Sequence, residues 1–197
     1  MNSRLGVTAT TKLGNRLSQM PHTVRCGTER SAASANNMAG PRNILFVCTG
    51  NTCRSPLAEG FLKKILKEHP LAGMEIGSAG LAALPGSSAS SHAVKVALES
   101  SVSLDEHKAR LVTGELMTKA DLLIVMEPGH RQQLLDRYPR ASDKIYLLRH
   151  FARYGSRERG IPDPYGLNLE GYRFCFDDIK ECVESLLEWL LQARQGE

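Results

Sequence analysis

The sequence lacks any long hydrophobic run. Its longest apolar stretches, such as residues 44–48 and 122–126, have the length of a strand and fall far short of a membrane span. No apolar signal-peptide core follows Met1. We therefore expect a protein that has no membrane partner, is not exported and works in the cytoplasm.

The sequence also lacks the signatures of a disulfide framework and of the common metal sites. Its five cysteines are an odd number, and only Cys48 and Cys53 lie close together. A Cys-x-x-Cys pair, a His-Glu-x-x-His motif and an acidic calcium loop are all missing. We expect a reducing compartment, no metal and no cofactor.

A broad excess of charge is missing from most of the chain. The formal net charge of +4 is already reached within residues 1–41, which hold five basic residues against the single acid Glu29. Residues 42–197 carry equal numbers of basic and acidic side chains. A neutral domain presents no broad electrostatic footprint for DNA or RNA, so a nucleic-acid partner is not expected.

Residues 1–41 are rich in small and polar residues and show no hydrophobic periodicity, which predicts a disordered N-terminal extension. Three explanations stay open: a mistaken start with Met20 or Met38 as the true initiator, a tail without function, and a basic, Ser-rich targeting peptide. Residues 42–197 are predicted to form one domain. No feature of the sequence indicates an oligomeric state.

From Asn43 onward, apolar runs alternate with helical patterns. The run at 43–48 is typical of a buried parallel strand, and Leu57, Phe61 and Ile65 have helical spacing. This alternation predicts an α/β three-layer sandwich with a four-stranded parallel sheet and helices on both faces. Ligands of such sheets bind beyond the carboxyl ends of strands, usually the first. The predicted strands cover residues 43–48, 74–78, 121–126 and 144–148, and the helices 56–68, 90–100, 113–119, 128–138 and 169–195.

The first strand leads into the segment Cys-Thr-Gly-Asn-Thr-Cys-Arg-Ser at residues 48–55, followed by Pro56, a residue suited to the first turn of a helix. Unpaired N–H groups at a helix start form an anion cradle, and Arg54 can add a bidentate cationic grip. The same field stabilises a thiolate at Cys48. Gly50 removes steric obstruction and Asn51 tolerates a left-handed backbone, so we predict a phosphate-binding loop with Cys48 as nucleophile.

This segment resembles the Cys-x5-Arg-Ser phosphate loop of the low-molecular-weight protein tyrosine phosphatase family, and the resemblance extends from about Asn43 to the C-terminus. A second family element, Asp163-Pro164-Tyr165, occurs late in the chain. The resemblance implies that Cys48 forms a phosphocysteine, that Arg54 holds the transferring oxygens, and that Asp163 protonates the leaving group and later activates water. A phosphorylated protein is the implied substrate. The implied phosphate-binding residues are Thr49, Gly50, Asn51, Thr52, Cys53 and Ser55.

Further residues gain roles from the same resemblance. Ser55 would donate a hydrogen bond to the Cys48 thiolate, and Ser78, in a predicted Ser-Ala-Gly turn, and His107 would brace Asn51. Thr52 and Tyr165 would form the wall that faces the phosphorylated residue. Threonine at the Thr52 position resembles bacterial protein arginine phosphatases, and Gly166 replaces an aromatic residue that phosphotyrosine enzymes often carry. Both phosphotyrosine and phosphoarginine therefore stay open as substrates.

The remaining cysteines have simpler explanations. Cys53 could trap an oxidised Cys48 in a reversible disulfide, as the resemblance implies, or could merely fill space in the loop. Cys175 and Cys182 are seven residues apart in the last predicted helix and are expected to pack on one face.

Two other functions compete with a phosphatase. A thioredoxin-coupled arsenate reductase can share this fold and loop, but its thiol relay requires further cysteines, and residues 54–174 contain none. A non-catalytic phosphoprotein-binding module would leave the presence of both Cys48 and Asp163 unexplained.

Overall fold

The computed structural model describes residues 40–195, so the predicted disorder of residues 1–41 lies almost wholly outside the described residues and stays a prediction. No helix within 40–195 is long and apolar enough to span a bilayer. The strands are β1 (Asn43–Cys48), β2 (Glu75–Gly80), β3 (Leu122–Val125) and β4 (Ile145–Leu147), and the helices are α1 (Arg54–Glu68), α2 (Ser91–Glu99), α3 (Gly114–Lys119), α4 (Pro128–Arg137) and α5 (Leu169–Gln195).

The four strands form one parallel sheet in the order β2-β1-β3-β4. The chain moves from β1 to β2 on one side and then crosses to β3 on the other side, so the strand order reverses at the carboxyl end of β1. A crevice forms where two crossover connections leave in opposite directions, which is the usual ligand site of such sheets. The α/β fold with a four-stranded parallel sheet is therefore confirmed, and Cys48 ends the strand at this point.

Strand β1 is apolar after Asn43 because both of its faces are buried there. Ile44, Phe46 and Cys48 belong to a core cluster that contains residues of α1, α2 and α5. Leu45 and Val47, which point the opposite way, belong to a second cluster with residues of α3 and α4. Helices thus cover both faces of the sheet, as the sequence predicts.

One predicted feature beside the site is wrong. Residues 78–80 do not form a turn, because β2 continues to Gly80 and pairs Ser78 with Phe46 and Gly80 with Cys48. A Cβ atom at Gly80 would lie 2.6 Å from the carbonyl oxygen of Thr49 and 3.0 Å from the amide nitrogen of Asn51. This glycine is therefore required by the close approach of β2 to the loop after β1.

Two short 3₁₀ segments, Pro139–Ala141 and Leu148–Phe151, are absent from the sequence prediction. Each adjoins an element that was predicted too long: 128–138 exceeds α4 by one residue, and 144–148 exceeds β4 by one residue at each end. Helix α1 was predicted too short: it begins at Arg54, two residues before the predicted start. Arg54 and Ser55, the last residues of the Cys-x5-Arg-Ser segment, therefore take part in the first turn of the helix.

Candidate active site

The loop between β1 and α1 curls so that the backbone amide of Asn51 approaches the thiol of Cys48. Asn51 adopts φ = 54°, the left-handed conformation that the sequence predicts for it. This conformation brings the Asn51 amide N–H to 3.2 Å from Cys48 Sγ, to which it donates. Cys48 itself is buried, with 3% of its surface exposed, at the end of β1. The sulfur is therefore the centre on which the curled loop closes.

The side chain of Asn51 fixes the direction of the hydrogen bonds around the sulfur. Its Oδ1 accepts the backbone N–H of Arg110 at 2.9 Å, so its Nδ2 must be the donor to Ser78 Oγ at 2.8 Å and to Ser55 Oγ at 2.9 Å. Because Ser55 Oγ accepts from Asn51, its own proton is free to point to Cys48 Sγ, 3.0 Å away. His107 Nε2 donates to the Asn51 carbonyl at 2.7 Å. The four predicted positions 51, 55, 78 and 107 thus meet in one network.

Glu59 on α1 extends this network and was missed by the sequence analysis. Ser78 Oγ donates to Glu59 Oε2 at 2.5 Å, and Glu59 Oε1 pairs with Lys63 one helical turn further on. A carboxylate can only accept, so Ser78 is left to receive the Asn51 amide proton. Arg110 and Glu59 therefore fix the same hydrogen bond from its two ends, with Asn51 as the donor and Ser78 as the acceptor.

Arg54 is almost fully buried, with 1% exposure, and its guanidinium is held from one side. Its Nη1 donates to the Ile161 carbonyl at 3.0 Å and lies 3.1 Å from Glu127 Oε1. Its Nη2 pairs with Asp163 Oδ2 at 2.5 Å. Its Nε is buried and has no hydrogen-bond partner among residues 40–195. The Nε edge of the Arg54 guanidinium is thus the part still available to a ligand.

The segment that carries Asp163 is fastened to the end of β3. The backbone N–H of Ile161 donates to the Met126 carbonyl at 2.7 Å. Gly160 makes this possible, since a Cβ there would lie 2.8 Å from the same carbonyl oxygen. Asp163 Oδ1 accepts the N–H of Tyr165 at 3.2 Å, while Tyr165 is 77% exposed. Residues more than a hundred positions apart in the sequence, Arg54 and Asp163, are brought into contact in this way.

The second half of the loop rests on α2 and α5. Ser90, which caps α2, donates its N–H to the Thr52 carbonyl at 2.8 Å. The Cys53 thiol is buried 3.3 Å from Tyr172 Oη and 3.5 Å from Ser90 Oγ. Burial, followed by the contact with Cys53, raises the pKa of Tyr172 to about 12, so the phenol stays protonated. Both explanations of Cys53, a trap for an oxidised Cys48 and a space-filling side chain, stay open.

The model of the low molecular weight phosphotyrosine protein phosphatase family matches residues 43–195. This chain belongs to that family. The match confirms the predicted family and its enzyme class, a cysteine-dependent phosphatase.

Individual relatives span the same part of the chain. A protein-arginine-phosphatase of Geobacillus stearothermophilus is 37% identical over 76% of this chain and 97% of its own length. The low molecular weight protein-tyrosine-phosphatase Wzb of Salmonella typhi is 37% identical over 78% of this chain and 96% of its own length. A solved mutant of the YwlE arginine phosphatase with a phosphorylated active-site serine is 35% identical, with a TM-score of 0.73 over 79% of this chain and 99% of that one.

Two further cysteines of this phosphatase chain, Cys175 and Cys182, are poorly suited to a thiol relay. Cys175 and Cys182 are buried in α5, as predicted, and burial raises the pKa of each thiol to about 12. A relay needs a thiolate that can attack, and these thiols are held protonated. Within residues 40–195, no group of three or more His, Cys, Asp or Glu side chains is arranged to hold a metal ion.

Proposed function

We propose that this chain hydrolyses a phosphorylated protein side chain through a phosphocysteine at Cys48, and that phosphoarginine is its preferred substrate. One observation carries the mechanism: two donors converge on a buried sulfur, and a buried guanidinium beside it has one unpartnered N–H edge. These are the two parts that phosphoryl transfer to sulfur requires, a stabilised thiolate and a preorganised cationic grip.

In the proposed role of Cys48, the Asn51 N–H and the Ser55 hydroxyl stabilise the thiolate. The left-handed backbone of Asn51 aims its N–H at the sulfur, and the Asn51 side chain leaves the Ser55 proton for the same atom. Cys48 thus has the donors that an attacking thiolate needs.

In the proposed role of Arg54, the Ile161 carbonyl and Glu127 hold Nη1 on the protein side. The Nε edge then faces the phosphoryl group, and Nη2 joins it when the ligand displaces Asp163. Two parallel N–H bonds to two phosphoryl oxygens give the bidentate geometry that a guanidinium provides. Substrate binding therefore releases Asp163 from its ion pair at the moment when the carboxyl group is needed.

The reaction then proceeds in two displacements. The Cys48 thiolate attacks phosphorus, the bond from phosphorus to the side-chain nitrogen or oxygen breaks, and the leaving atom takes its electron pair and a proton from Asp163. Water next attacks the phosphocysteine and gives its proton to Asp163, the phosphorus–sulfur bond breaks, and inorganic phosphate and the thiolate result. The phosphorylated active-site serine of the YwlE mutant supports a covalent intermediate at the equivalent place.

The preference for phosphoarginine rests on Thr52. Its Oγ1 lies 3.6 Å from the Cys53 thiol, a weak partner, so the hydroxyl keeps its capacity for a stronger bond to a guanidinium nitrogen. Gly166, at φ = 80°, offers no aromatic ring to stack with a phosphotyrosine. The arginine phosphatases among the relatives support the same substrate class. The proposed partner is a phosphorylated protein, and we propose that it is met in the cytoplasm.

The substrate is tested by kcat/KM of the purified chain on matched phosphoarginine and phosphotyrosine peptides, before and after Thr52→Ile. If the Thr52 hydroxyl selects arginine, Thr52→Ile should reduce phosphoarginine turnover at least about tenfold more than phosphotyrosine turnover. Thr52→Ser is the matched control, because it keeps the hydroxyl and should largely preserve the ratio. Equal losses on both peptides would refute the arginine preference. An unaltered enzyme that hydrolyses neither peptide would refute the phosphatase proposal.

A further inference from the structure

His130 lies in the first turn of α4 and touches the phosphate loop from outside the residues described so far. Its side chain is 3% exposed, and its Nε2 lies 2.9 Å from Thr49 Oγ1 and 3.5 Å from Glu127 Oε2. The other oxygen of Glu127 contacts Arg54. The β3–α4 corner, defined as Glu127 and His130, therefore contacts the loop at both ends: at Thr49 beside the nucleophile and at Arg54.

The surroundings of the imidazole select one tautomer. Its Nδ1 is buried and has no hydrogen-bond partner in the described part of the chain. An unpaired buried N–H is rarer and costs more than an unpaired acceptor, so the proton belongs on Nε2. A lone pair on Nε2 would also face the Glu127 carboxylate at 3.5 Å, whereas an N–H is attracted to it. Both arguments assign Nε2–H as the donor and Thr49 Oγ1 as the acceptor.

The charged groups around His130 keep it neutral. Burial lowers its pKa below the ordinary value of 6.5, and the Arg54 guanidinium lowers it further. Glu127 and Asp163 act in the opposite direction but more weakly. A proton on Nδ1 would in addition be a buried donor without a partner. The imidazole therefore has one donor at neutral pH, and that donor is used by Thr49.

We propose that His130 is a positioning residue of the phosphate loop: its neutral Nε2–H holds Thr49 Oγ1 as an acceptor and so leaves the Thr49 hydroxyl proton to donate to an oxygen of the bound phosphoryl group. The Thr49 carbonyl is already fixed by the Ala82 N–H at 2.9 Å. His130 fixes the side chain of the same residue, which is otherwise exposed. The inference rests on the proposed function only in taking a phosphoryl group as the ligand.

The tautomer is tested without any catalytic assay. Nitrogen-15 NMR of the imidazole groups in the full chain between pH 6 and 8 should show His130 as neutral with its proton on Nε2. His69, an exposed histidine, supplies the internal reference signals in the same spectra. An Nδ1–H tautomer, or an imidazolium at pH 7, would overturn the proposal even if the enzyme proves to be a phosphatase.

The action through Thr49 is tested by a double-mutant cycle on the affinity for inorganic phosphate, measured by calorimetry. Thr49→Val and His130→Leu should each weaken binding about three- to tenfold, the range of one hydrogen bond, and the double variant should be no weaker than either alone. Thr49→Ser keeps the hydroxyl and should lose less phosphate affinity than Thr49→Val. His130→Gln keeps an N–H near the Nε2 position and should lose less phosphate affinity than His130→Leu.

Independent, additive losses would contradict a role of His130 through Thr49. Because Thr49 is exposed, its variants should fold and can be measured even if His130→Leu does not fold. Unchanged phosphate affinity in Thr49→Val would by itself overturn the proposal. Neither measurement requires turnover. A chain that binds phosphate with the expected couplings but hydrolyses no phosphopeptide would refute the proposed function and leave this inference intact.

Discussion

The phosphate loop and the segment that carries Asp163 are built in opposite ways. In the loop, Cys48, Asn51, Arg54 and Ser55 are all buried. Hydrogen bonds of fixed direction connect Ser55 to Cys48 and to Asn51. In the segment at 162–168, every residue except Pro164 is exposed. Asp163 makes an ion pair with Arg54 and accepts one N–H from Tyr165.

This difference matches two different tasks. A cradle for phosphoryl oxygens and a thiolate benefits from donors that are already in place, because reorganisation during the reaction would add to the barrier. The proposed general acid, Asp163, would exchange one partner, Arg54, for another, the leaving group, and weak local restraint makes that exchange easier. Changes to the hydrogen-bond donors of the loop should therefore affect binding and chemistry together, whereas changes at Cys48 or Asp163 should act mainly on the chemistry.

The largest effect is expected for Cys48→Ser. A serine hydroxyl without a base is hardly ionised at neutral pH, so turnover should be abolished, while the donors of the loop should still bind phosphate. The measurement is kcat on an aryl phosphate, with phosphate affinity by calorimetry as the control for an intact loop. Substantial residual turnover would contradict the assignment of the nucleophile.

Asp163→Asn should lower kcat about 10²–10⁴-fold, the usual contribution of a positioned general acid. Because a good leaving group needs no proton, the loss should shrink along a series of aryl phosphates with increasingly acidic phenols. Phosphate affinity should not fall, because the ligand then displaces a neutral amide from Arg54 and not a carboxylate. A loss of the same size for every leaving group would show that Asp163 positions other groups and does not donate a proton.

Gly80→Ala tests whether the loop depends on the close approach of β2. The added Cβ would lie 2.6 Å from the Thr49 carbonyl oxygen, so the loop must shift, and we expect about tenfold weaker phosphate binding and a loss of about 1–3 kcal/mol in stability. Gly129→Ala is the matched control, since nothing lies within 4 Å of a Cβ there. Equal behaviour of the two variants in calorimetry and thermal unfolding would rule out this constraint.

The smallest effect is expected from removing residues 1–39. The family match begins at residue 43, and every proposed site residue lies at or beyond Cys48. We expect kcat, KM and Tm to stay nearly unchanged. A clear fall in any of the three would show that the N-terminal segment supports the domain.

The parts of the molecule that the sequence predicts well are those encoded by neighbouring residues. Strand β1 and helix α5 have the predicted bounds, because each is marked by a long apolar pattern. The loop chemistry was predictable for the same reason, since nucleophile, arginine and supporting serine lie within eight consecutive positions. Asp163 was found through the family resemblance, not through any local pattern.

The parts that sequence analysis missed depend on contacts between distant segments. Glu127 and His130 lie in a corner about eighty residues from the loop that they contact, and nothing in their immediate neighbours indicates that contact. Tyr172, in turn, looks like an ordinary residue of an amphipathic helix until its hydroxyl is seen beside Cys53. Gly80 was predicted in a turn after the strand at 74–78, and its close approach to the loop became visible only because β2 continues to it.

The central claim is that the phosphoryl group passes through Cys48, and covalent trapping tests it most directly. The Asp163→Asn variant, which should hydrolyse its intermediate slowly, is mixed with an aryl phosphate that has a good leaving group, quenched during turnover and digested for mass spectrometry. The account predicts a phosphoryl group on the peptide that contains Cys48, and on that cysteine. Phosphorylation of another residue, or steady turnover with no covalent phosphoenzyme at any quench time, would contradict it.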